Sequence, residues 1–192
     1  MNLPNRITIT RIILVPIFML FIVPLSMNYD TQIAGINIYS LIAAIIFVVA
    51  SITDGLDGHI ARSRNLITNF GKFLDPIADK LLISGALLTL VERGDVSSWV
   101  AMIIITREFI VTALRLVAAS EGIVIAASKS GKIKTVTQIV AVTALITQNW
   151  PLTLIWSGFS CFSVIALTLA VITTVYSGIE YVIKNKQVFT EF

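Results

Sequence analysis

Four aspartates at fixed spacing carry most of the chemistry this chain can do: Asp54, Asp57, Asp75 and Asp79. They sit in DGLDGHIAR, from Asp54 to Arg62, and, after SRNLITNF, in GKFLDPIAD, from Gly71 to Asp79. Asp54 and Asp57 are i and i+3, and Asp75 and Asp79 are i and i+4, so on helices each pair projects from one face. Two such helix ends facing one another bring four oxygen-only groups together. Carboxylates that close oppose one another's ionisation, whereas one or two divalent cations hold them charged. All-oxygen donors favour Mg2+ or Mn2+. A pair of such ions can clamp the attacking and leaving oxygens of a displacement at phosphorus. The structural alternative is a helix cap in which the aspartates neutralise Arg62, Arg64 and Lys72.

Three other residues of the motif suit a ligand. Gly58 leaves backbone accessible and Ala61 keeps the same helical face small, which makes room for a flat or bulky group. Arg62 offers a guanidinium fork matched to phosphate. Gly71 permits either close helix packing or a turn. His59 is assigned no role.

The elements that must position these residues are membrane helices. Of 192 residues, 56% are hydrophobic and 13% charged, against about 25% charged in an average soluble domain. The composition predicts one all-α, polytopic membrane domain over 1–192, with six transmembrane helices and a short N-terminal interfacial segment. A span takes about 20 apolar residues, and six stretches approach that, near 7–26, 34–53, 73–91, 97–119, 133–149 and 153–183. The first is too long for a signal-peptide core, and no small-residue cleavage site follows it. The last exceeds one bilayer thickness and is expected to tilt or bend, with Gly158 and Gly178 as bend points. Connections are expected at Asn28 to Thr31, Gly58 to Gly71, Glu92 to Ser98, Ser120 to Lys132 and Asn149 to Pro151. The segment from Ser120 to Lys134 is a candidate substrate-binding loop.

Cations set the orientation. Arg6, Arg11, Arg62, Arg64, Lys72, Lys129, Lys132, Lys134, Lys184 and Lys186 fall on one side and Arg93 on the other. The positive-inside rule then puts both termini and the aspartates at the cytoplasmic face. No Lys/Arg block with interleaved aromatics suggests nucleic acid. Cys161, the single cysteine, is expected to be a small buried hydrophobe. Trp99, Trp150 and Trp156 suit the membrane interface.

The pattern D-x-x-D-G-x-x-A-R, eight residues, G-x-x-x-D-x-x-x-D resembles the signature of the CDP-alcohol phosphatidyltransferase family. LDPIADK (Leu74 to Lys80), TREF (Thr106 to Phe109), SGKIKT (Ser130 to Thr135) and the opening NLPNRITITRI are similar to the bacterial members that make phosphatidylglycerophosphate. The resemblance runs through about Gln148. It implies transfer of the phosphatidyl group of CDP-diacylglycerol to sn-glycerol 3-phosphate with release of CMP. It also implies two ions per site held by Asp54, Asp57, Asp75 and Asp79, with Asp79 doubling as general base for the acceptor hydroxyl. Gly58, Ala61 and Arg62, with Gly71, Asp54 and Asp57, would form the CDP-diacylglycerol side. A homodimer in a bacterial inner membrane, among membrane lipids, is the implied assembly.

The acceptor of such a reaction brings a second phosphate, which needs its own cations. Arg107 and Arg115, at i and i+8 in the fourth stretch, share roughly one face, and Lys132 and Lys134 open the fifth. The alternative for Arg107 is an ion pair with Glu108 or another helix. For the lysines it is topology alone. Arg6 and Arg11 are possible interfacial substrate contacts, or they snorkel to anionic lipid. Two other functions remain open: the same chemistry with serine or inositol phosphate as acceptor, and a small cation transporter that uses the aspartates as an ion path. Against transport, the four aspartates cluster at one membrane face.

Overall fold

The computed structural model describes residues 3–26, 31–63, 69–120 and 128–185; the side chains of 3–6, 54–63, 69–76, Ser120, Lys129 and Ser157 lie outside that description. Among the described residues six long helices account for most of the chain: α1 Leu3–Leu20, α2 Ile38–Ser63, α3 Asn69–Glu92, α4 Ser98–Ser120, α5 Lys129–Ile146 and α6 Phe162–Lys184. Helix α1 widens into a π turn at Phe21–Leu25, around Pro24, a local adjustment that keeps backbone groups paired where proline removes a donor. Two short antiparallel strands, β1 Gln32–Ile33 and β2 Ile36–Asn37, follow. Ala34 and Gly35 join them with positive φ at both positions, as a tight two-residue hairpin turn requires.

Helix α1 packs against α2 and α3, α5 against α2 and α6, and α4 against α3 and α6. Phe18, Ile22, Phe47, Leu87, Leu90, Ile104 and Ile146 fill the shared core and are essentially solvent-inaccessible. Gly85 lets α1 approach α3 closely, since a Cβ there would meet Val15 Cγ1 at 2.9 Å. Small residues at such contacts drive helix association in lipid.

Helix α6 displays the logic of a bilayer solvent. Its buried face is Ser163, Ala166, Ala170, Thr174, Ser177 and Tyr181, while Ile165, Leu169, Ile172, Tyr176, Ile179 and Ile183 point outward. Small and polar side chains inside with large apolar ones outside reverse the pattern of a water-soluble helix. Hydroxyl and amide bonds join α5 to α6: Thr137 and Thr173 lie 2.9 Å apart, and Gln138 Nε2 donates to Thr174 Oγ1 at 2.9 Å. By length and hydropathy Ile7–Leu25 and Gly158–Lys184 suffice to cross a membrane, and Ile38–Thr53 is a shorter apolar helix.

Several expectations are corrected. The segment from Gly58 to Gly71 is not all loop: α2 runs to Ser63 and α3 begins at Asn69, so Asp54 through Arg62 lie within a helix and only 64–68 fall outside the described residues. Lys132 and Lys134 open the fifth helix as expected, but α5 starts at Lys129, earlier than the connection expected from Ser120 to Lys132, and 121–127 lie outside the described residues. In the last apolar stretch the break comes at Trp156, whose backbone is extended, between a helical turn at Leu152–Ile155 and a 3-10 turn at Ser157–Cys161. Gly178 is no bend point; it sits inside α6, where a Cβ would meet Arg107 Cγ at 3.1 Å. Cys161 is exposed rather than buried, because that break turns it outward.

At the end of the bundle opposite the aspartates, polar groups close the helix termini. Arg93 Nη2 donates to the carbonyl of Leu145 at 2.5 Å and Nη1 to that of Ile146 at 3.4 Å, while its Nε pairs with Asp95. Asn149 Oδ1 accepts from the Ser163 N–H at 2.7 Å and so caps α6 from outside the helix. Its Nδ2 donates to the carbonyl of Ser160 at 2.8 Å.

Candidate active site

Asp54, Asp57, Gly58, Ala61 and Arg62 occupy the C-terminal part of α2, and Gly71, Asp75 and Asp79 the N-terminal half of α3. The two helices pack together and five residues separate them, a connection short enough to make them antiparallel neighbours. Both aspartate pairs therefore stand on helices at the same end of the bundle. The side chains of Asp54, Asp57, Gly58, Ala61, Arg62, Gly71 and Asp75 lie outside the described residues, as does that of Arg6. Asp79 is described, and its side chain is 39% exposed.

Asp79 lines a cleft of 340 Å³ whose walls include Lys80, Arg107, Glu108, Arg115, Lys132, Lys134 and Gln138. All four cations expected to bind an acceptor phosphate thus reach one cavity that also contains the expected base. Arg115 and Lys132 are exposed at its rim, and the Arg115 guanidinium lies 5.5 Å from the centroid of the Tyr181 ring, within cation–π range. Ser128 caps α5 by accepting from the Gly131 N–H at 3.1 Å. That cap sets the helix start that delivers Lys132 and Lys134 to the cleft.

Beneath the rim is a buried ion cluster. Glu108, 6% exposed, pairs with Lys134 through Oε1, with Arg107 through the same oxygen at 3.3 Å, and with Lys80 through Oε2 at 3.1 Å. Lys80 also reaches Asp79 Oδ2 at 2.5 Å. Arg107 Nη2 donates to Ser177 Oγ at 3.0 Å. The ion pair of Arg107 with Glu108 is present, yet it does not remove Arg107 from the cleft. Two buried polar atoms of lining residues, Arg107 Nε and Gln138 Oε1, have no hydrogen-bond partner among the described residues. Buried groups of that kind ordinarily find a partner.

Arg11 does not snorkel: it is 3% exposed, on α1 inside the bundle, because the first helix is pulled into the core by Val15, Phe18 and Ile22. Sequence reasoning missed Lys80 and Gln138 and treated Glu108 only as a partner for Arg107. Their one signal is polarity inside otherwise apolar helices, which in lipid marks function or pairing.

The family model described as CDP-alcohol phosphatidyltransferase matches residues 1–176. The chain belongs to this family. The CDP-alcohol phosphatidyltransferases are membrane-associated, in keeping with the inverted surface of α6. Among similar proteins, the CDP-diacylglycerol–glycerol-3-phosphate 3-phosphatidyltransferase of Bacillus subtilis (strain 168) is 50% identical over 186 residues, covering 96% of this chain and 95% of that one. The protein of that name from Rickettsia bellii (strain RML369-C) is 35% identical over 188 residues, 98% of this chain and 97% of its own. A probable phosphatidylglycerophosphate synthase of Mycobacterium tuberculosis (strain ATCC 25618 / H37Rv) is 38% identical over 181 residues, 94% and 80% of the two chains. In this family member the cationic cleft therefore belongs to an enzyme of phosphatidyl transfer.

Proposed function

We propose that this enzyme transfers the phosphatidyl group of CDP-diacylglycerol to sn-glycerol 3-phosphate, giving phosphatidylglycerophosphate and CMP. The observation that carries the reading is the cleft itself, where Asp79 shares a cavity of 340 Å³ with Arg107, Arg115, Lys132 and Lys134. A small acceptor with a phosphate at one end and a hydroxyl at the other needs that pairing of cations and a carboxylate. The relatives' names favour glycerol 3-phosphate over serine or inositol phosphate, and membership of a transferase family sets transport aside.

The acceptor hydroxyl oxygen forms a bond to the phosphatidyl phosphorus, the bond from that phosphorus to the CMP oxygen breaks, and the hydroxyl proton passes to Asp79. Lys80 engages Oδ2 of that carboxylate, and Oδ1 is assigned to take the proton. A base must lie within hydrogen-bond reach of the proton it removes, and the cations place the acceptor so that its hydroxyl does.

The donor set of Asp54, Asp57, Asp75 and Asp79 is all-oxygen and fits Mg2+ or Mn2+. Two such ions would neutralise the pyrophosphate of the donor and stabilise charge on the departing CMP. Gly58, Ala61, Arg62 and Gly71 take the nucleotide side of the donor. Helices α1 to α6 would make six spans, with both termini and the cleft at the cytoplasmic face of a bacterial inner membrane and the enzyme a homodimer. The test is product formation by purified protein supplied with CDP-diacylglycerol, divalent metal and one acceptor at a time. Phosphatidylglycerophosphate from sn-glycerol 3-phosphate is the expected result, and product from serine or inositol phosphate instead would overturn it.

A further inference from the structure

Glu108 is a carboxylate buried at the centre of three cations that come from three different helices: Lys80 on α3, Arg107 on α4 itself and Lys134 on α5. Lys134 is 6% exposed in its side chain, Arg107 13% and Lys80 17%. Cations held that close in so little water repel one another, and each swings away unless an anion fixes it. Glu108 is the anion common to all three among the described residues. Its Oε1 takes Lys134 and Arg107, and its Oε2 takes Lys80, which continues to Asp79.

The result is a continuous chain of ion pairs, Lys134 to Glu108 to Lys80 to Asp79. One end carries cations assigned to the acceptor phosphate and the other end carries the base assigned to the acceptor hydroxyl. We infer that Glu108 is a positioning residue that sets the separation between these two ends. It thereby matches the cleft to a short phosphorylated polyol. The inference rests on the proposed function, since it concerns the acceptor of that reaction. Glu108 touches neither reacting atom and acts through Lys134 and Lys80.

The test compares Glu108→Gln, Glu108→Asp, Lys134→Met and the double variant Glu108→Gln/Lys134→Met in purified enzyme. The KM for sn-glycerol 3-phosphate is measured at saturating CDP-diacylglycerol, and the KM for CDP-diacylglycerol separately. Glu108→Gln should raise the acceptor KM by about 10- to 100-fold, the effect of displaced charge-assisted contacts, with the donor KM within about threefold of normal. Glu108→Asp should recover about tenfold of that loss, because the negative charge returns on a shorter arm. Because Glu108 acts through Lys134 as well as through Lys80, the losses of Glu108→Gln and Lys134→Met overlap, so the double variant should lose clearly less than the product of the two single losses. An unchanged acceptor KM in Glu108→Gln overturns the inference. Equal rises in both KM values that Glu108→Asp does not relieve would also overturn it, since they mark a merely structural role. If Glu108→Gln does not fold, the double variant, which removes both charges of the pair, decides: with Lys80 also released, its acceptor KM should exceed that of Lys134→Met by about threefold or more while the donor KM stays near normal, and an equal rise in both KM values overturns the inference. Wild-type enzyme that does not use sn-glycerol 3-phosphate overturns the functional reading and this inference with it. Active wild type with insensitive Glu108 variants overturns the inference alone.

Discussion

Replacing Arg107 by alanine should separate the two substrates. Arg107 faces the cleft from α4 while its Nη2 holds Ser177 Oγ on α6 at 3.0 Å and its Nη1 lies 3.3 Å from Glu108. Besides the pair with Glu108, which keeps Lys80 and Lys134 as partners, two losses follow from its removal. The first is a charge-assisted contact to the acceptor phosphate, worth about 1.5–3 kcal/mol, or about one to two decades in kcat/KM for sn-glycerol 3-phosphate. The second is the bond between helices, worth about 0.5–1.5 kcal/mol of stability. Ser177→Ala isolates the second loss because it removes the interhelical acceptor and keeps the guanidinium. Steady-state CMP release with each substrate varied in turn, together with thermal unfolding in detergent, reads both. Arg107→Ala should raise the acceptor KM and leave the donor KM near normal, whereas Ser177→Ala should lower the melting temperature and leave both KM values near normal. Equal weakening of both substrates in Arg107→Ala, reproduced by Ser177→Ala, would refute the reasoning and make Arg107 a structural tie.

Asp79→Asn should weaken donor binding less than turnover and lose about 100- to 10,000-fold in kcat, the usual cost of removing a general base; near-normal turnover at saturating metal would withdraw that role. Arg93→Met removes the donor that satisfies the Leu145 and Ile146 carbonyls at the end of α5. It should destabilise the protein by about 1–3 kcal/mol in thermal unfolding while the KM values of the surviving enzyme stay unchanged, because the contact lies at the end of the bundle away from the cleft.

Much of this arrangement was legible in residue types. The six apolar stretches correspond to six helices among the described residues, because a bilayer-length run of apolar side chains has few other ways to satisfy its backbone. The i+8 spacing of Arg107 and Arg115 placed both on one wall of the cleft. Other features depend on tertiary contact. Gly158 signalled a bend within WSGFSC, but not that the chain would extend at Trp156 or that Asn149 would reach across to cap α6. Arg11 read as an interfacial cation, since its burial depends on how α1 docks rather than on its neighbours in sequence. The pairing of Arg107 with Glu108 was visible as adjacency. That Lys80 and Lys134 converge on the same carboxylate was not, because they lie far from Glu108 in sequence and on other helices.

Phosphatidyl transfer to a phosphorylated acceptor is open to direct measurement. Its most direct test supplies purified protein in detergent with CDP-diacylglycerol and Mg2+ or Mn2+, varies only the acceptor among sn-glycerol 3-phosphate, inositol phosphate and serine, and follows both CMP and the lipid product. Stoichiometric CMP and phosphatidylglycerophosphate should form with sn-glycerol 3-phosphate alone, abolished by chelation and restored by divalent metal. Equal CMP release with every acceptor, or undiminished release in excess chelator, would contradict it.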